Sequence, residues 1–339
     1  MKKIKFVVPY FGKFPSNIIE WIYTASQLED QNIHFLVFTD LEFPCSLPSN
    51  FDVINMSFAD IRKLFQTNFD FQISLNNPYK LCDFRPSYGE IFSMYLDDAD
   101  YWGHCDVDMV WGNIKEFISD EILDTYDKIQ YMGHFVLYKN EDRINKLYKM
   151  DGAHYSYRKV FSSDKFFSFD EHPGIMSIIL KNPIKIFIAT NQADFSPAYK
   201  RLFVSRRINY NYQIFCWIAG HIYRYYIDSN GKLGRDEFMY AHFQKKTIRG
   251  MSDAKLENVD FLISTKGFRK IKPENIDVDF VKRESDYVSA KDDSVSIKAY
   301  RRRKLYDFFE CSLSDKIIWI KIKMYTRKVN KYFRMMIQS

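Results

Sequence analysis

Asp106 and Asp108 stand one residue apart in the segment Tyr101-Trp102-Gly103-His104-Cys105-Asp106-Val107-Asp108-Met109-Val110-Trp111-Gly112. The apolar, aromatic residues before them read as the end of a strand. Side chains alternate faces along a strand, so residues i and i+2 point the same way and the two carboxylates converge. Hard oxygen ligands at one point suit Mg²⁺ or Mn²⁺, and such an ion can in turn hold a diphosphate. The alternative is a pair of solvated turn aspartates.

Positioning two carboxylates on an edge requires a scaffold, and the sequence describes one. Ile4–Pro9 is a continuous apolar run that reads as a buried strand ending in Tyr10-Phe11-Gly12. It is too short, and too soon interrupted by Pro9, to act as a secretory leader. Ser16 to Leu28 has helical spacing, with Ile18, Ile19, Ile22 and Tyr23 on one side. Ile33–Thr39 is a second buried strand ending at Asp40, and Val53–Met56 a short third, followed by a helix over Phe58–Phe65. Ser87–Leu96 reads as a helix feeding the Tyr101–Cys105 strand. Strands alternating with helices predict an α/β domain with a mainly parallel sheet flanked by helices. Ligands of such sheets gather outside the carboxyl ends of the strands. Gly12, Asp40 and the Asp106/Asp108 pair all fall at such ends.

Later segments are less regular. The spacing predicts a helix over Ile114–Ile122, a strand over Lys128–Tyr138, a helix over Ile175–Leu180 and a strand over Pro183–Ala189. Residues 190–213 read as a long loop, and Cys216–Ile227 is apolar again. No internal repeat or low-complexity linker is evident.

A chain of 339 residues with 46% hydrophobic content can bury a sizeable core. Its 31 Phe and 24 Tyr with sparse Gly and Pro exclude disordered and fibrous classes. The five cysteines are widely spaced with no Cys-x-x-Cys pair, which argues for a reducing compartment and against structural zinc. From Lys298 onward twelve Lys or Arg face three Asp or Glu, so the net +6 of the chain belongs to its tail rather than its body.

Tyr79-Lys80-Leu81-Cys82-Asp83-Phe84-Arg85 followed by Tyr101–Trp111 resembles the Asp-x-x-Arg … Tyr-x-Asp-x-Asp core of nucleotide-sugar glycosyltransferases of GT-A fold. The closest likeness is to retaining families eight and thirty-two and related bacterial polysaccharide-cluster transferases. The similarity extends over residues 1–250 or so. It implies a Rossmann-like GT-A domain, here 1–290, and a metal-dependent transfer from a UDP-sugar with Mn²⁺ or Mg²⁺. Departure of the diphosphate builds negative charge that a divalent ion and cationic side chains stabilise.

Such enzymes add a late histidine ligand. The matching segment is Tyr240-Ala241-His242-Phe243-Gln244-Lys245-Lys246, which makes His242 the third metal ligand and Lys245 a phosphate contact. An ordinary half-buried histidine on an aromatic strand is the alternative, and the other six histidines are read that way. Asp83 and Arg85 share one face if locally extended, and Pro86 biases Arg85 toward that conformation. By resemblance Arg85 meets phosphate or Asp106, and Asp83 meets ribose or donor sugar; otherwise they form a surface ion pair. Tyr10 and Asp40 resemble base- and ribose-binding positions, with Asp40 accepting from a uracil nitrogen. Asp170 and Glu171 match an acidic position facing the donor sugar or the acceptor. Their alternative is a helix N-cap. In an inverting enzyme one of them is the general base; in a retaining one it orients the sugar.

Residues 291–339 form a separate basic tail. Ile318, Ile322, Tyr325, Val329, Tyr332 or Phe333, and Met336 recur at helical spacing, with Trp319 at the apolar side, among Lys316, Lys321, Lys323, Arg327, Lys328, Lys331 and Arg334. A basic amphipathic helix of this kind is a candidate anchor to an anionic membrane surface, assisted by Arg301-Arg302-Arg303-Lys304. A terminal helix packed on the core, or a strand over Trp319–Met324, remains open. No stretch is long enough to span a bilayer, and no nucleic-acid-binding module is present.

The expectation is therefore a cytoplasmic transferase, peripheral at the inner face of the cell membrane, that acts on a lipid-linked glycan in surface polysaccharide synthesis such as capsule, O-antigen or exopolysaccharide. Two rivals are a metal-dependent phosphodiesterase or nucleotidyltransferase, and a non-catalytic membrane-associated protein with a transferase fold. The first calls for more carboxylates around Asp106 and Asp108 than the nearby Asp97, Asp98 and Asp100.

Overall fold

The computed structural model describes residues 1–172, 174–244, 246–251, 256–287 and 293–302. Lys245, Cys311 and the amphipathic stretch over Ile317–Ile337 lie outside the described residues.

Seven strands make the main sheet: β1 (Ile4–Pro9), β2 (Ile33–Thr39), β3 (Phe51–Asn55), β4 (Tyr101–Cys105), β6 (Lys128–Ile129), β7 (Phe135–Lys139) and β8 (Ile186–Phe187), with β5 (Met109–Trp111) set apart. Their order is β3-β2-β1-β4-β7-β6-β8. β3, β2, β1 and β4 run parallel, β4–β7 and β7–β6 are antiparallel, and β6–β8 is parallel again. The fold is thus mixed α/β around a mainly parallel sheet flanked by helices. The central strands are apolar on both faces because both faces are covered. Ile4, Phe6 and Val8 pack with Trp21, Ile22 and Ala25 of α1 (Ile18–Ser26), while Val7 and Trp102 join Ile61 and Phe65 of α2 (Phe58–Gln66) on the opposite side. Ser57 caps α2 by accepting from Asp60 N. Gly103 lets β4 lie tight on β7, since a Cβ there would meet the Val136 carbonyl at 2.3 Å.

A three-stranded sheet, β5-β13-β9, joins β5 to β9 (Gln192–Asp194) and β13 (Tyr240–His242). A five-stranded antiparallel sheet follows the order β12-β11-β10-β14-β15, built from β10 (Gln213–Ile218), β11 (His221–Ile227), β12 (Leu233–Phe238), β14 (Phe261–Ser264) and β15 (Gly267–Lys270). The apolar stretch from Cys216 is therefore a hairpin. Ala219 and Gly220 turn it with φ of 48° and 88°, the left-handed pair a two-residue hairpin turn demands.

Several expected elements differ. Lys128–Tyr138 is two strands rather than one, because Gln130 takes φ 65° and anchors its amide to Ala189 O, reversing the chain through residues 131–134. The predicted helix over Ser87–Leu96 breaks into Tyr88–Ile91 and a 3₁₀ turn over Ser93–Tyr95, whose tighter winding buries Phe92 and Leu96 completely. The helix foreseen over Ile114–Ile122 instead spans Asp120–Thr125, where Ser119 caps its start. The loop expected over 190–213 contains β9. Cys45, Cys82, Cys105 and Cys216 are free thiols. Among the described residues no helix is long and apolar enough to cross a membrane.

Candidate metal centre in an acidic cleft

β4 ends at Cys105, and Asp106 N donates to His134 O at 3.0 Å, so the chain leaves the sheet under backbone restraint. It then enters β5, which pairs antiparallel with β13 and brings His242 opposite Met109. Phe243 N closes the arrangement on Asp108 O at 3.0 Å. His242 Nε2 consequently lies 3.5 Å from Asp106 Oδ2 and 3.6 Å from Asp108 Oδ1. One ligand atom from each of the three residues falls within 4.8 Å of the others. Neighbouring ligands of an octahedral ion sit about 3 Å apart, so small rotamer shifts would close this set around Mg²⁺ or Mn²⁺. Two carboxylates and an imidazole are a fitting donor set for such an ion.

The site opens into a cleft of about 810 Å³ lined by the ends of β1 and β4, the reversal at Met132–His134 and the acids Asp170 and Glu171. That volume is in the range of small-molecule sites. Arg85 crosses its floor. Its Nη2 holds Asp106 Oδ1, while Nη1 donates to Gly133 O at 2.8 Å and Asp170 Oδ2 at 3.2 Å. One oxygen of Asp106 is thereby committed to Arg85 and the other faces His242. Gly133 N donates to Glu171 Oε1 at 2.7 Å. A side chain at 133 would collide with Asp170 Oδ2 at 2.6 Å, so glycine permits this crowding.

The electrostatics separate the two aspartates that Arg85 touches. Withdrawal from water pushes the Asp106 carboxyl up, but Arg85 and then His242 outweigh it and hold it well below the usual carboxylate range. Asp170 is only 4% exposed, and burial pushes its carboxyl up to about 8 against the opposing pull of Arg85. Burial disfavours a charged His242, yet Asp106, Asp108 and Asp194 together raise its pKa well above the ordinary value.

Tyr10 lines the cleft, its ring stacked on Phe14 at 5.4 Å. Asp40 does not reach the cleft. Leu41 N turns back onto Thr39 Oγ1, leaving Asp40 in solvent and outside the cleft lining, away from the base- or ribose-binding position expected for it. Asp83 also differs from its expected place beside the ribose or donor sugar. It sits in a four-residue helix, Leu81–Phe84, rather than an extended segment, and is fully buried. There it pairs with Lys80 at 2.8 Å and accepts from Phe167 N and Phe169 N at 3.0 and 2.9 Å. It clamps the loop leading to Asp170 rather than facing a sugar. Asp170 and Glu171 are not helix caps: the helix Ile175–Ile179 has no side-chain cap.

Three participants were missed. His134, read as an ordinary histidine, stacks on His242 with ring centroids 4.0 Å apart and meets Tyr240 Oη at 3.0 Å. Asp194 meets the far nitrogen of His242, and Gln244 Nε2 donates to the same Asp194 oxygen. Asp194 was hidden in an apparent loop, because a three-residue strand is too short to show periodicity.

A family model described as a family of unknown function, DUF6625, matches residues 6–272. The chain belongs to that family. The matched stretch contains Tyr10, Arg85, the aspartate pair, Asp170, Glu171, Asp194 and His242, and it ends before the basic tail. No curated protein matches the chain.

Proposed function

We propose that the protein is a metal-dependent glycosyltransferase of GT-A type that moves a sugar from a UDP-sugar to a lipid-linked glycan acceptor. What carries the reading is the convergence of Asp106, Asp108 and His242, from the end of one strand and a strand far along the chain, on the carboxyl rim of a parallel sheet. A divalent ion held there supplies charge neutralisation for a departing diphosphate. The side chains supply the rest. Arg85 presents a cation beside the ion site, and Tyr10 offers a ring for the base. Asp170, pushed up to about 8, keeps its proton near neutrality and can donate to a sugar hydroxyl. Retention of configuration is what the resemblance to the retaining families implies. The lipid-linked acceptor is what the resemblance implies, the cytoplasmic placement rests on the widely spaced cysteines, and the membrane-surface association rests on the basic tail.

The phosphodiesterase or nucleotidyltransferase reading is weaker. Two-ion chemistry needs a second set of carboxylates around the shared aspartate, and the other oxygen of Asp106 is held by a guanidinium. The deciding experiment is calorimetric titration of UDP into the protein with Mn²⁺ and then with chelator, on wild type and on Asp106→Asn/Asp108→Asn. Mn²⁺-dependent binding that disappears in the variant is expected. UDP binding that ignores Mn²⁺, or none at all, would overturn the reading.

A further inference from the structure

His242 has two ring nitrogens, and only one faces the aspartate pair. The other, Nδ1, lies 2.9 Å from Asp194 Oδ1, which also accepts from Gln244 Nε2 at 2.7 Å. Both residues are almost fully buried, Asp194 at 4% and His242 at 6% exposure. The parallel pairing of β9 with β13 sets Asp194 directly beside His242 in register. The opposite side of the imidazole is also fixed. His134 stacks on it with an interplanar angle of 21°, and His134 is tied by Nε2 to Tyr240 and by its carbonyl to Asp106 N.

We propose that Asp194 is the positioning residue of the metal centre: it fixes the tautomer and the ring angle of His242 so that the Nε2 lone pair is presented to an ion shared with Asp106 and Asp108. The inference rests on the metal-site reading above. A ring nitrogen that donates to a carboxylate leaves its partner nitrogen as the metal-facing one, and such outer hydrogen bonds raise the basicity of the ligand. Strand pairing does not account for the contact. Phe195 N already donates to His242 O at 2.9 Å, so the backbone holds β9 to β13 without the carboxylate. A carboxylate withdrawn from water is costly unless its charge has a partner, and its partner here is the imidazole that faces the aspartates.

The test uses the full chain and Mn²⁺ alone as probe, read by the free-ion electron paramagnetic resonance signal. Wild type, Asp194→Ala, Asp194→Asn and Asp108→Asn are compared, with far-UV circular dichroism confirming the fold of each. Asp194→Ala is expected to weaken Mn²⁺ about 10- to 100-fold. Asp194→Asn, whose amide oxygen still accepts from Nδ1, should lose less. The nitrogen coupling of a bound imidazole in the pulsed spectrum should fall in the alanine variant and be largely retained in Asp194→Asn, which keeps an acceptor for Nδ1. Wild-type affinity in whichever Asp194 variant folds would overturn the positioning role. If Asp108→Asn also binds like wild type, or wild type does not bind, the metal site itself is wrong and the positioning role falls with it.

Discussion

Arg85 holds one oxygen of Asp106 and leaves the other turned toward His242. A single carboxylate is thus shared between a fixed cation and the position where an ion would sit. Replacing Arg85 by Ala removes positive charge from beside the aspartates, so Mn²⁺ affinity should be kept or increased. Diphosphate stabilisation should suffer, with turnover of a UDP-sugar falling about 100-fold. Parallel measurement of Mn²⁺ affinity and turnover checks this, and a joint collapse of both would show that Arg85 only props up the site. Lysine should not rescue it, because a single ammonium cannot span Asp106, Gly133 O and Asp170 as the forked guanidinium does.

The raised pKa of Asp170 has a consequence for stability. Its folded value is about 8 against an ordinary 3.8, so between those pH values the folded chain holds a proton that the unfolded chain has released. Stability contributed by this group therefore declines as pH rises from 3.8 toward about 8 and levels off above. Asp170→Asn cannot lose a proton, and its melting temperature should fall less steeply over that window than wild type. Identical slopes would mean that Asp170 is ionised throughout.

Asp83 should behave as a stability residue. Asp83→Ala leaves the buried Lys80 ammonium without its counter-charge and two backbone N–H groups without an acceptor. Loss of one member of such a pair costs about 3–5 kcal/mol. Urea unfolding should register it, while any folded fraction still binds UDP with Mn²⁺. Intact stability with lost UDP binding would return Asp83 to the ligand.

The basic tail lies beyond the matched family region, so deleting residues 313–339 should leave UDP and Mn²⁺ binding unchanged. The same deletion should release the protein from anionic phospholipid vesicles, and added salt should mimic it on the full chain. Vesicle binding that survives the deletion would assign the tail to packing.

Local pattern was enough for the frame of the molecule. Ile4–Pro9 and Ile33–Thr39 are strands with the bounds that their apolar runs suggest, and the helix read from Ile18, Ile19 and Ile22 lies where their spacing puts it. A residue buried on both faces of a sheet must be apolar, so such strands are written in consecutive positions. The aspartate pair was legible from its spacing just past an apolar strand, although Asp106 and Asp108 lie in the bend that joins β4 to β5 rather than on a strand. What only the folded chain decided are contacts between segments distant in sequence. His242 faces the aspartates because β13 pairs with β5, and Asp194 reaches His242 because β9 pairs with β13. No periodicity within either segment encodes its partner. Asp83 shows the converse: its segment folds as a helix of four residues, too short to be stable by propensity, so its conformation is set by the buried contacts of Lys80 and the 167–169 backbone. Strand and helix period are properties of neighbours in the chain, whereas a metal centre is assembled by the packing of strands that the chain itself keeps apart.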